Sequence, residues 1–209
     1  MIATKQEIER AFHEWNKKAF NDELPTPKFG LFKAKTVFGH FKAYPSTISL
    51  STFYDRPKEE FINTVVHEML HYYIHYKRIK DTSSHGRVWK RMANDLNKRF
   101  PTLHLSRCGK RCTEINEAVL NSLKGKKEIA FLCKGEDGNH YGCLVSVKKL
   151  NTFYSVYRNW TFLNSVDAIE VEANEYTLKL PRIRTRGSVM KITKQEYDAL
   201  MEQGVKIKV

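Results

Sequence analysis

The sequence predicts a mixed α+β protein, with helices packed on a small sheet in the first half and a strand-rich module after it. Apolar residues recur at helical spacing in three long segments before residue 101, and short segments of strand-like pattern lie between the first two. After Phe100-Pro101 most segments are strand-like. The 209 residues exceed the usual length of one domain, so we predict two domains, residues 1–105 and 106–209.

The first half begins with an amphipathic helix and three short strands. Thr4 and Glu7 have the spacing of a capping box, and apolar residues then follow at helical spacing: Ile8, Phe12, Trp15 and Ala19. The predicted strands are Phe29–Lys33, Val37–Phe41 and Thr47–Ser51. An edge strand of such a sheet could align an extended peptide by strand addition.

A second, unusually apolar helix is predicted to begin near Asp55, which can cap it, and to end near Arg78. It carries the sequence His67-Glu68-Met69-Leu70-His71. On a helix, residues four apart lie one turn apart on the same face, so both imidazoles can bind one zinc ion. Glu68 is then placed to hydrogen-bond a water on that metal. This HExxH pattern is typical of a zinc hydrolase, usually a peptidase.

A catalytic zinc needs a third protein ligand and one open position. His75 lies ~12 Å along the helix from His67 and ~80° around it, which is too far to share the ion. An exposed or hydrogen-bonded helix histidine explains it better. His85 follows a polar loop and precedes a third amphipathic helix that could return beside the second, so it is the best candidate. Asp95, further along that third helix, is the alternative ligand.

The expected chemistry is attack by zinc-activated water. Zinc lowers the pKa of a bound water towards ~7 and polarises the scissile carbonyl. Glu68 would act as general base and pass the proton to the leaving amine. A chance arrangement of histidines on a helix face is the weaker alternative, because the helix is capped and a third histidine is available. Arg87 and Lys90 follow His85, but a solvated helix face explains them as well as a role at the site.

Several segments carry a resemblance to a known family: Ala11-Phe12, Trp15-Asn16, Phe20 to Pro25, His67 to His71, and His85-Gly86. Together they resemble the SprT-like zinc metalloprotease domain over roughly residues 4–105. The resemblance implies a zincin-like catalytic domain with HExxH on its central helix. It implies that His67, His71 and His85 bind zinc and that Glu68 is the general base. It also implies a DNA-binding enzyme of DNA repair, whose substrates are proteins on or crosslinked to DNA.

Four cysteines lie in the second half. Members of the SprT-like family often carry a zinc ribbon built from two closely spaced cysteine pairs, and this region could be a degenerate one. Cys108 and Cys112 have a tolerable spacing, but nine residues separate Cys133 from Cys143. A predicted hairpin could bring the last two thiols together, and His140 could replace one ligand. A second, structural zinc is therefore the alternative to four reduced core cysteines, which we favour.

The remaining elements of the second module are mostly strands. Its predicted strands are Ile129–Cys133, Tyr141–Val147, Phe153–Tyr157, Ala168–Val171, Tyr176–Leu180 and Val205–Val209. Residues 114–123 have helical spacing, and Thr193 can cap a short helix that ends at Gly204. These elements form either a separate mixed module or an extension of the first sheet.

The net charge of +13 is shared by both halves and favours DNA or another polyanion as a partner; a merely basic surface is the alternative. Two features of the second module could contact nucleic acid. One is a set of aromatic and basic residues, more often a core: Tyr154, Tyr157, Arg158, Trp160 and Phe162. The other is the alternation of Arg182, Arg184 and Arg186, which on a strand would share one face.

The sequence thus predicts a zinc metalloprotease that acts on DNA-associated or DNA-crosslinked proteins. Two alternatives stay open: a DNA-binding protein with a structural, non-catalytic zinc site, and a zinc peptidase that is independent of DNA. No apolar run approaches the ~20 residues that span a bilayer, and the polar N-terminus has no signal-peptide pattern. We therefore expect no membrane partner and a cytoplasmic location, with association to the nucleoid as a further option.

Overall fold

The computed structural model of the chain describes residues 1–106, 114–183 and 189–209, and its fold is mixed α+β, as predicted. The chain divides into two compact units, Met1–Asn116 and Glu117–Val209. Each unit has a sheet and an apolar core of its own, so the second sheet is not an extension of the first. Within the described ranges, no helix is long and apolar enough to cross a membrane.

The first unit combines three helices with a three-stranded sheet. The helices are α1 (Lys5–Phe20), α2 (Lys58–Tyr76) and α3 (Arg87–Arg99), and the strands are β1 (Lys28–Phe32), β2 (Gly39–Lys42) and β3 (Thr47–Ser51). The strand order is β1-β3-β2, with β1 parallel and β2 antiparallel to β3. Strand β2 therefore lies at an edge of the sheet, where it contacts α2.

Helix α1 begins with the predicted capping box. The Thr4 hydroxyl accepts a hydrogen bond from the Glu7 backbone N–H, and the Glu7 carboxylate accepts one from the Thr4 N–H. The predicted apolar stripe of this helix is buried in the core of the unit: Ile8, Phe12, Trp15 and Ala19. A local pattern was enough to predict this element because cap and stripe both depend only on neighbouring residues.

Helix α2 is the central element of the first unit. Four of its side chains are completely buried: Val65, Val66, Met69 and Leu70. Burying one such side chain stabilises a fold by roughly 1.5–3 kcal/mol, so the helix that carries His67–His71 is fixed by packing. Its start differs from the prediction. Pro57 occupies the N-cap without a side-chain hydrogen bond, and Asp55 pairs instead with the N-terminal amine of Met1.

The second unit is built on a five-stranded antiparallel sheet of order β7-β5-β4-β6-β8. Its strands are β4 (Lys127–Gly135), β5 (His140–Val145), β6 (Leu163–Glu172), β7 (Met190–Ile192) and β8 (Val205–Lys206). Its helices are α4 (Glu117–Asn121), α5 (Leu150–Arg158), α6 (Glu175–Lys179) and α7 (Lys194–Gln203), and a 3₁₀ turn covers Val147–Lys149. The last strand and the first helix are shorter than predicted, and Thr193 caps α7 as predicted.

Both faces of this sheet are covered. On the central strand β4, Ala130 and Leu132 belong to one apolar cluster, and Phe131 belongs to another. Successive side chains of a strand point to opposite faces, so these two clusters lie on opposite sides of the sheet. Burial on both faces explains why the predicted strand Ile129–Cys133 is a continuous apolar run rather than an alternating one.

The prediction of a strand over Phe153–Tyr157 is wrong, because this segment lies in α5. Leu150, Phe153 and Tyr157 are spaced by three and four residues, so on a helix they share one face, and all three belong to the same apolar cluster. Aromatic residues favour strands by local preference. Here the packing of this face against the sheet decides the conformation.

The strand predicted over Tyr176–Leu180 is also wrong, because most of it forms helix α6. Asn174 and Thr177 make a capping box, in which each side chain accepts a hydrogen bond from the backbone of the other residue. Thr177 is buried. The cap satisfies backbone groups that a short helix would otherwise leave without partners.

Candidate metal centre

Three histidines of the first unit converge on one point. His67 and His71 lie one turn apart on α2, and His85 lies just before α3. Their Nε2 atoms are 3.2 Å apart for His67 and His71, 3.2 Å for His71 and His85, and 2.9 Å for His67 and His85. Three nitrogen ligands of a tetrahedral ion with bonds of ~2.0–2.1 Å lie about 3.3 Å apart. The three histidines could therefore hold a metal ion.

The three nitrogens line an open cleft with a volume of about 540 Å³. Strand β2 contributes Gly39, His40 and Phe41 to this cleft, and α2 contributes His67, Glu68, His71, Ile74 and His75; the remaining lining residues are Ile79, Asp81, Ser83, Ser84 and His85. A metal held by three protein ligands keeps a coordination position for water or substrate. The cleft provides the space for such a fourth ligand.

Two of the imidazoles, those of His67 and His71, are kept neutral by their surroundings. Burial, and then repulsion from His71 and His85, lowers the pKa of His67 to about 3. Burial and the nearby His85 lower the pKa of His71 to about 4. A histidine must be neutral to bind a metal, so these two side chains are ready to bind one at neutral pH without losing a proton.

The tryptophan Trp89 of α3 forms an apolar wall beside the three histidines. Its ring centroid lies 4.8 Å from that of His67, 5.7 Å from that of His71 and 4.6 Å from that of His85. Trp89 itself is 2% exposed. This contact removes water from one side of the imidazoles, and it contributes to the burial that lowers the pKa values of His67 and His71.

Two further contacts orient the histidines. The backbone of Ser106 forms a hydrogen bond with His67 that raises the pKa of this histidine and opposes the larger effect of burial. Because His67 Nε2 faces the other imidazoles, Nδ1 is the nitrogen left for Ser106. The Ser84 hydroxyl lies 3.5 Å from His85 Nδ1. Hydrogen bonds of this kind fix the ring orientation of metal-binding histidines.

Glu68 lies on α2 beside His67 and is only 5% exposed. Burial raises the pKa of its carboxyl group to about 8, and a backbone hydrogen bond from Phe41 opposes this shift. The carboxyl group therefore exchanges a proton near neutral pH. A group with a pKa near the working pH is the most effective general acid or base.

Gly39 of β2 allows the edge strand to approach Glu68, a role that the sequence pattern did not predict. A Cβ atom at this position would lie 2.9 Å from Glu68 Oε1 and 2.8 Å from Thr64 Cγ2. Any other residue would push the strand or the carboxyl group away. A single glycine inside a predicted strand is a known sign of such close approach, and that sign is present here.

Asp81 fixes the loop that carries His85, and this role was also missed. Its Oδ1 accepts a hydrogen bond from the Thr82 N–H at 2.7 Å, and its Oδ2 accepts one from the Trp89 N–H at 2.9 Å. The hydrogen bond from Trp89 is the largest cause of the lowered pKa of this carboxyl group. Gly86, at the N-cap of α3, lies so close to Asp81 that a Cβ atom there would overlap the carboxylate.

Other candidates lie outside the histidine group. His75 lines the cleft, where its ring contacts those of Phe41 and Tyr44. Asp95 is exposed on α3 and does not belong to the group. His13, His40 and His104 are exposed as well. Among the residues described, the group of His67, His71 and His85 is the one found with three metal-binding side chains together.

Only two of the four cysteines considered as zinc ligands lie in the described part of the chain. Cys108 and Cys112 lie outside the described residues, as do Arg184 and Arg186. Cys133 and Cys143 are completely buried on neighbouring strands, and burial is the main cause that raises the pKa of each thiol to about 12. His140 packs on the ring of Tyr197, with ring centroids 4.6 Å apart. The described cysteines therefore resemble small apolar core residues.

The two predicted nucleic-acid features of the second unit are described only in part, because Arg184 and Arg186 lie outside the described residues. Tyr157 is completely buried, and its ring packs on that of Trp160 at 4.5 Å between centroids. Phe162 is 45% exposed. Arg182 pairs with Glu128, with Nη2 and Oε2 separated by 2.5 Å. Most aromatic residues of this set therefore pack in the core, which is the more frequent role of such residues.

Comparison with known proteins gives one match. The model of the SprT-like family matches residues 8–109, which run from α1 through α3 and contain all three histidines of the candidate centre. No curated protein matches the chain. The match agrees with the resemblance seen in the sequence over roughly residues 4–105. The match identifies residues 8–109, 102 of the 209 residues, as SprT-like.

Proposed function

We propose that the protein is a zinc-dependent metallopeptidase that cleaves proteins bound or crosslinked to DNA. One observation carries the proposal: three imidazole nitrogens, 2.9–3.2 Å apart, converge in an open cleft beside a buried carboxyl group. Zinc is the metal proposed because three histidines with an open position form a common catalytic zinc site. The match of residues 8–109 to the SprT-like family supports a peptidase.

His67, His71 and His85 would hold the zinc ion, and Glu68 would move the proton. Zinc, when bound, supplies a Lewis acid that activates water and polarises a carbonyl group. Glu68 ionises more readily beside a bound dication, so its carboxylate can accept a proton in the cleft. The same carboxyl group then donates this proton to the leaving amine. The backbone hydrogen bond from Phe41 holds the carboxyl group in place.

Strand β2 would position the substrate. It lies at the edge of its sheet, and Gly39, His40 and Phe41 line the cleft that contains the histidines. An extended peptide can add to an edge strand through backbone hydrogen bonds. Such pairing would bring a peptide bond next to Glu68 without requiring a particular side chain. It suits an enzyme that acts on many different proteins.

The restriction to DNA-associated proteins rests on charge and on family. The net charge of +13 favours polyanionic partners, and the SprT-like resemblance implies proteins on DNA as substrates. Neither argument names a single protein. The proposal is therefore for a class of substrate that is defined by its attachment to DNA.

The test is the pair of variants Glu68→Gln and Glu59→Gln. Both replace a glutamate of α2 by its amide, but Glu59 is exposed in the first turn of the helix. Cleavage of a protein crosslinked to DNA is followed by gel electrophoresis, and bound metal by mass spectrometry. We expect Glu68→Gln to keep one zinc per chain and to lose about 10²–10⁴-fold in rate, while Glu59→Gln matches the parent.

Each alternative gives a different result. If Glu68→Gln cuts as fast as the parent, the assigned role of Glu68 is wrong. If the parent binds zinc but cuts no protein, the metal site is structural. If the parent cuts a DNA-free unfolded protein at the same rate with and without DNA, the enzyme is a peptidase that is independent of DNA.

A further inference from the structure

The solvent-facing side of α3 carries cations in one continuous arc. The helix contains five basic residues and one acidic residue, Asp95; the basic residues are Arg87, Lys90, Arg91, Lys98 and Arg99, and all are exposed. Positions 87, 91, 94 and 98 are spaced by four, three and four residues, so they follow one line along the helix. Lys90 flanks this line. We call Arg87, Lys90, Arg91, Asn94 and Lys98 the α3 arc.

The α3 arc differs from the exposed side of α1 in the same unit. Along α1, the basic residues alternate with three acidic residues, Glu7, Glu9 and Glu14. Lys18 of that helix pairs with Glu14, with Nζ and Oε1 separated by 2.5 Å. None of the ion pairs found among the described residues involves a basic residue of the α3 arc. A face that only keeps a protein soluble is expected to mix both signs, as α1 does.

The apolar residues of α3 point away from the arc. Trp89, Ala93 and Leu96 are buried in the core of the unit, and Met92 packs against it. A helix that binds a membrane surface inserts apolar side chains between lipids, and the α3 arc has none to insert. Phosphate groups alone can neutralise the positive charges of the α3 arc, and arginine binds a phosphate group with two parallel hydrogen bonds.

We propose that the α3 arc binds the phosphate backbone of double-stranded DNA. The arc extends over 11 residue steps, about 16 Å of helix, which corresponds to roughly nine or ten phosphate charges along a duplex. A straight and rigid row of cations fits a rigid duplex. The arc begins two residues after His85, so DNA on α3 lies beside the cleft. In this respect the inference rests on the proposed function, since it explains how a protein attached to DNA reaches the candidate centre.

The test compares two variants that lose the same charges. The arc variant is Lys90→Gln/Arg91→Gln/Lys98→Gln, which spares Arg87 because of its position next to His85. The control is Lys5→Gln/Arg10→Gln/Lys17→Gln on α1, which also removes two lysines and one arginine, all of them exposed. Binding of the full-length chains to a fluorescent DNA duplex is measured by anisotropy at salt concentrations from about 50 to 200 mM.

For the arc variant we expect binding weakened at least about tenfold, and a salt dependence whose slope falls by about two to three, since each phosphate contact contributes about 0.9. The control should keep a slope within about one of the parent. Equal losses in both variants would mean that only net charge matters, and no loss in the arc variant would place the DNA elsewhere. Either result overturns the inference.

Two added measurements separate this inference from the proposed function. Binding to phosphatidylcholine vesicles that contain phosphatidylserine is measured for the same chains, and loss of vesicle binding with intact DNA binding would contradict the inference. Cleavage of a DNA-free unfolded protein is measured as well. If the arc variant loses DNA binding but no chain cuts any protein, the DNA surface stands and the peptidase proposal fails.

Discussion

The imidazoles of His67, His71 and His85 and the thiols of Cys133 and Cys143 are both sets of metal-binding side chains, but their surroundings are opposite. The imidazoles bring three Nε2 atoms within 3.2 Å of one another at the wall of an open cleft. The thiols lie on β4 and β5 and are completely buried, and Cys143 belongs to the apolar cluster that also contains residues of α5. In the first unit, burial is partial and leaves nitrogen lone pairs accessible. In the second, it leaves the thiols of Cys133 and Cys143 with no exposed surface.

The comparison shows what distinguishes a metal site from a set of metal-binding residues. Partial burial lowers the pKa of an imidazole, which keeps it in the neutral form that binds metals. Burial raises the pKa of a thiol, which keeps it in the protonated form that does not. The same physical effect therefore favours metal binding by His67 and His71 and disfavours it for Cys133 and Cys143.

The largest effect is expected from removal of one imidazole. His71→Ala should reduce bound zinc from one per chain to nearly none, because two ligands rarely hold a catalytic zinc. His75→Ala is the matched control, since it removes the same side chain one turn further along α2 and lies outside the histidine group. Both are measured by metal analysis after purification without chelator.

The zinc content of the His71→Ala and His75→Ala variants distinguishes a metal site in the first unit from one in the second. Zinc retained by His71→Ala at the level of the parent would mean that the metal lies elsewhere, and would bring the four cysteines back as candidates. Loss of zinc in His75→Ala would mean that the ligand set is incomplete. A Cys133→Ala/Cys143→Ala variant of the full chain should bind as much zinc as the parent.

A smaller effect is expected from the loop that carries His85. Asp81→Ala removes the acceptor for the Thr82 and Trp89 N–H groups, so His85 should lose its fixed position. We expect about 10–100-fold weaker zinc binding, as for other residues that orient metal ligands. Asp81→Asn keeps one acceptor oxygen and should lose less.

Asp95→Ala is the control for Asp81, because it removes an exposed carboxylate from α3. Zinc affinity is measured by competition with a chromophoric chelator. Equal affinity in Asp81→Ala and the parent would show that His85 is positioned without Asp81. A loss in Asp95→Ala would revive that residue as a ligand, the alternative considered from the sequence.

The sequence predicts those parts of the fold that depend on residues close to one another along the chain. Spacings within about one or two helical turns determine three of these parts: the capping box of Thr4 and Glu7, the HExxH segment on an apolar helix, and the helix after His85. The same is true of strand Thr47–Ser51. Helix α5 was missed because its conformation depends on a sheet that contains residues distant in sequence.

The parts of the site that the sequence did not predict come from contacts between distant elements. Gly39 is needed only because β2 passes against Glu68, 29 positions later in the sequence. Asp81 acts through Trp89, on the far side of the loop, and Ser106 reaches His67 from beyond α3. A periodic sequence pattern gives no sign of contacts between residues so far apart along the chain. The glycine inside a strand pattern was the one local sign among them.

A further difference is expected in the pH dependence of the two units of the metal-free protein. The pKa values of His67 and His71 are lowered from 6.5 to about 3 and about 4. The unfolded chain therefore binds more protons below pH 6.5, and the first unit loses stability as the pH falls from about 6.5 towards 4. Glu68 acts in the opposite direction, because its pKa is raised from 4.5 to about 8 and the folded state keeps its proton in that range. The Glu68→Gln background isolates the contribution of the histidines.

The second unit should respond at the other end of the pH scale. The pKa values of Cys133 and Cys143 are raised from 9.0 to about 12, so the folded state holds protons that the unfolded chain releases, and stability falls as the pH rises above about 9. Between pH 5 and 8 its stability should change little. One pKa unit corresponds to about 1.4 kcal/mol, so each loss is on the order of a few kcal/mol.

The two units can be followed separately in one urea titration. In a Trp160→Phe variant, the fluorescence of Trp15 and Trp89 reports only the first unit, and alkylation of the buried thiols, located by mass spectrometry, reports unfolding of the second. With Glu68→Gln present, the fluorescence midpoint should move to lower urea below pH 6.5, and the alkylation midpoint should move only above pH 9. A fluorescence midpoint that stays constant from pH 7 to 4.5 would show that His67 and His71 are not held neutral by burial. In that case the contrast between imidazoles and thiols would rest on geometry alone.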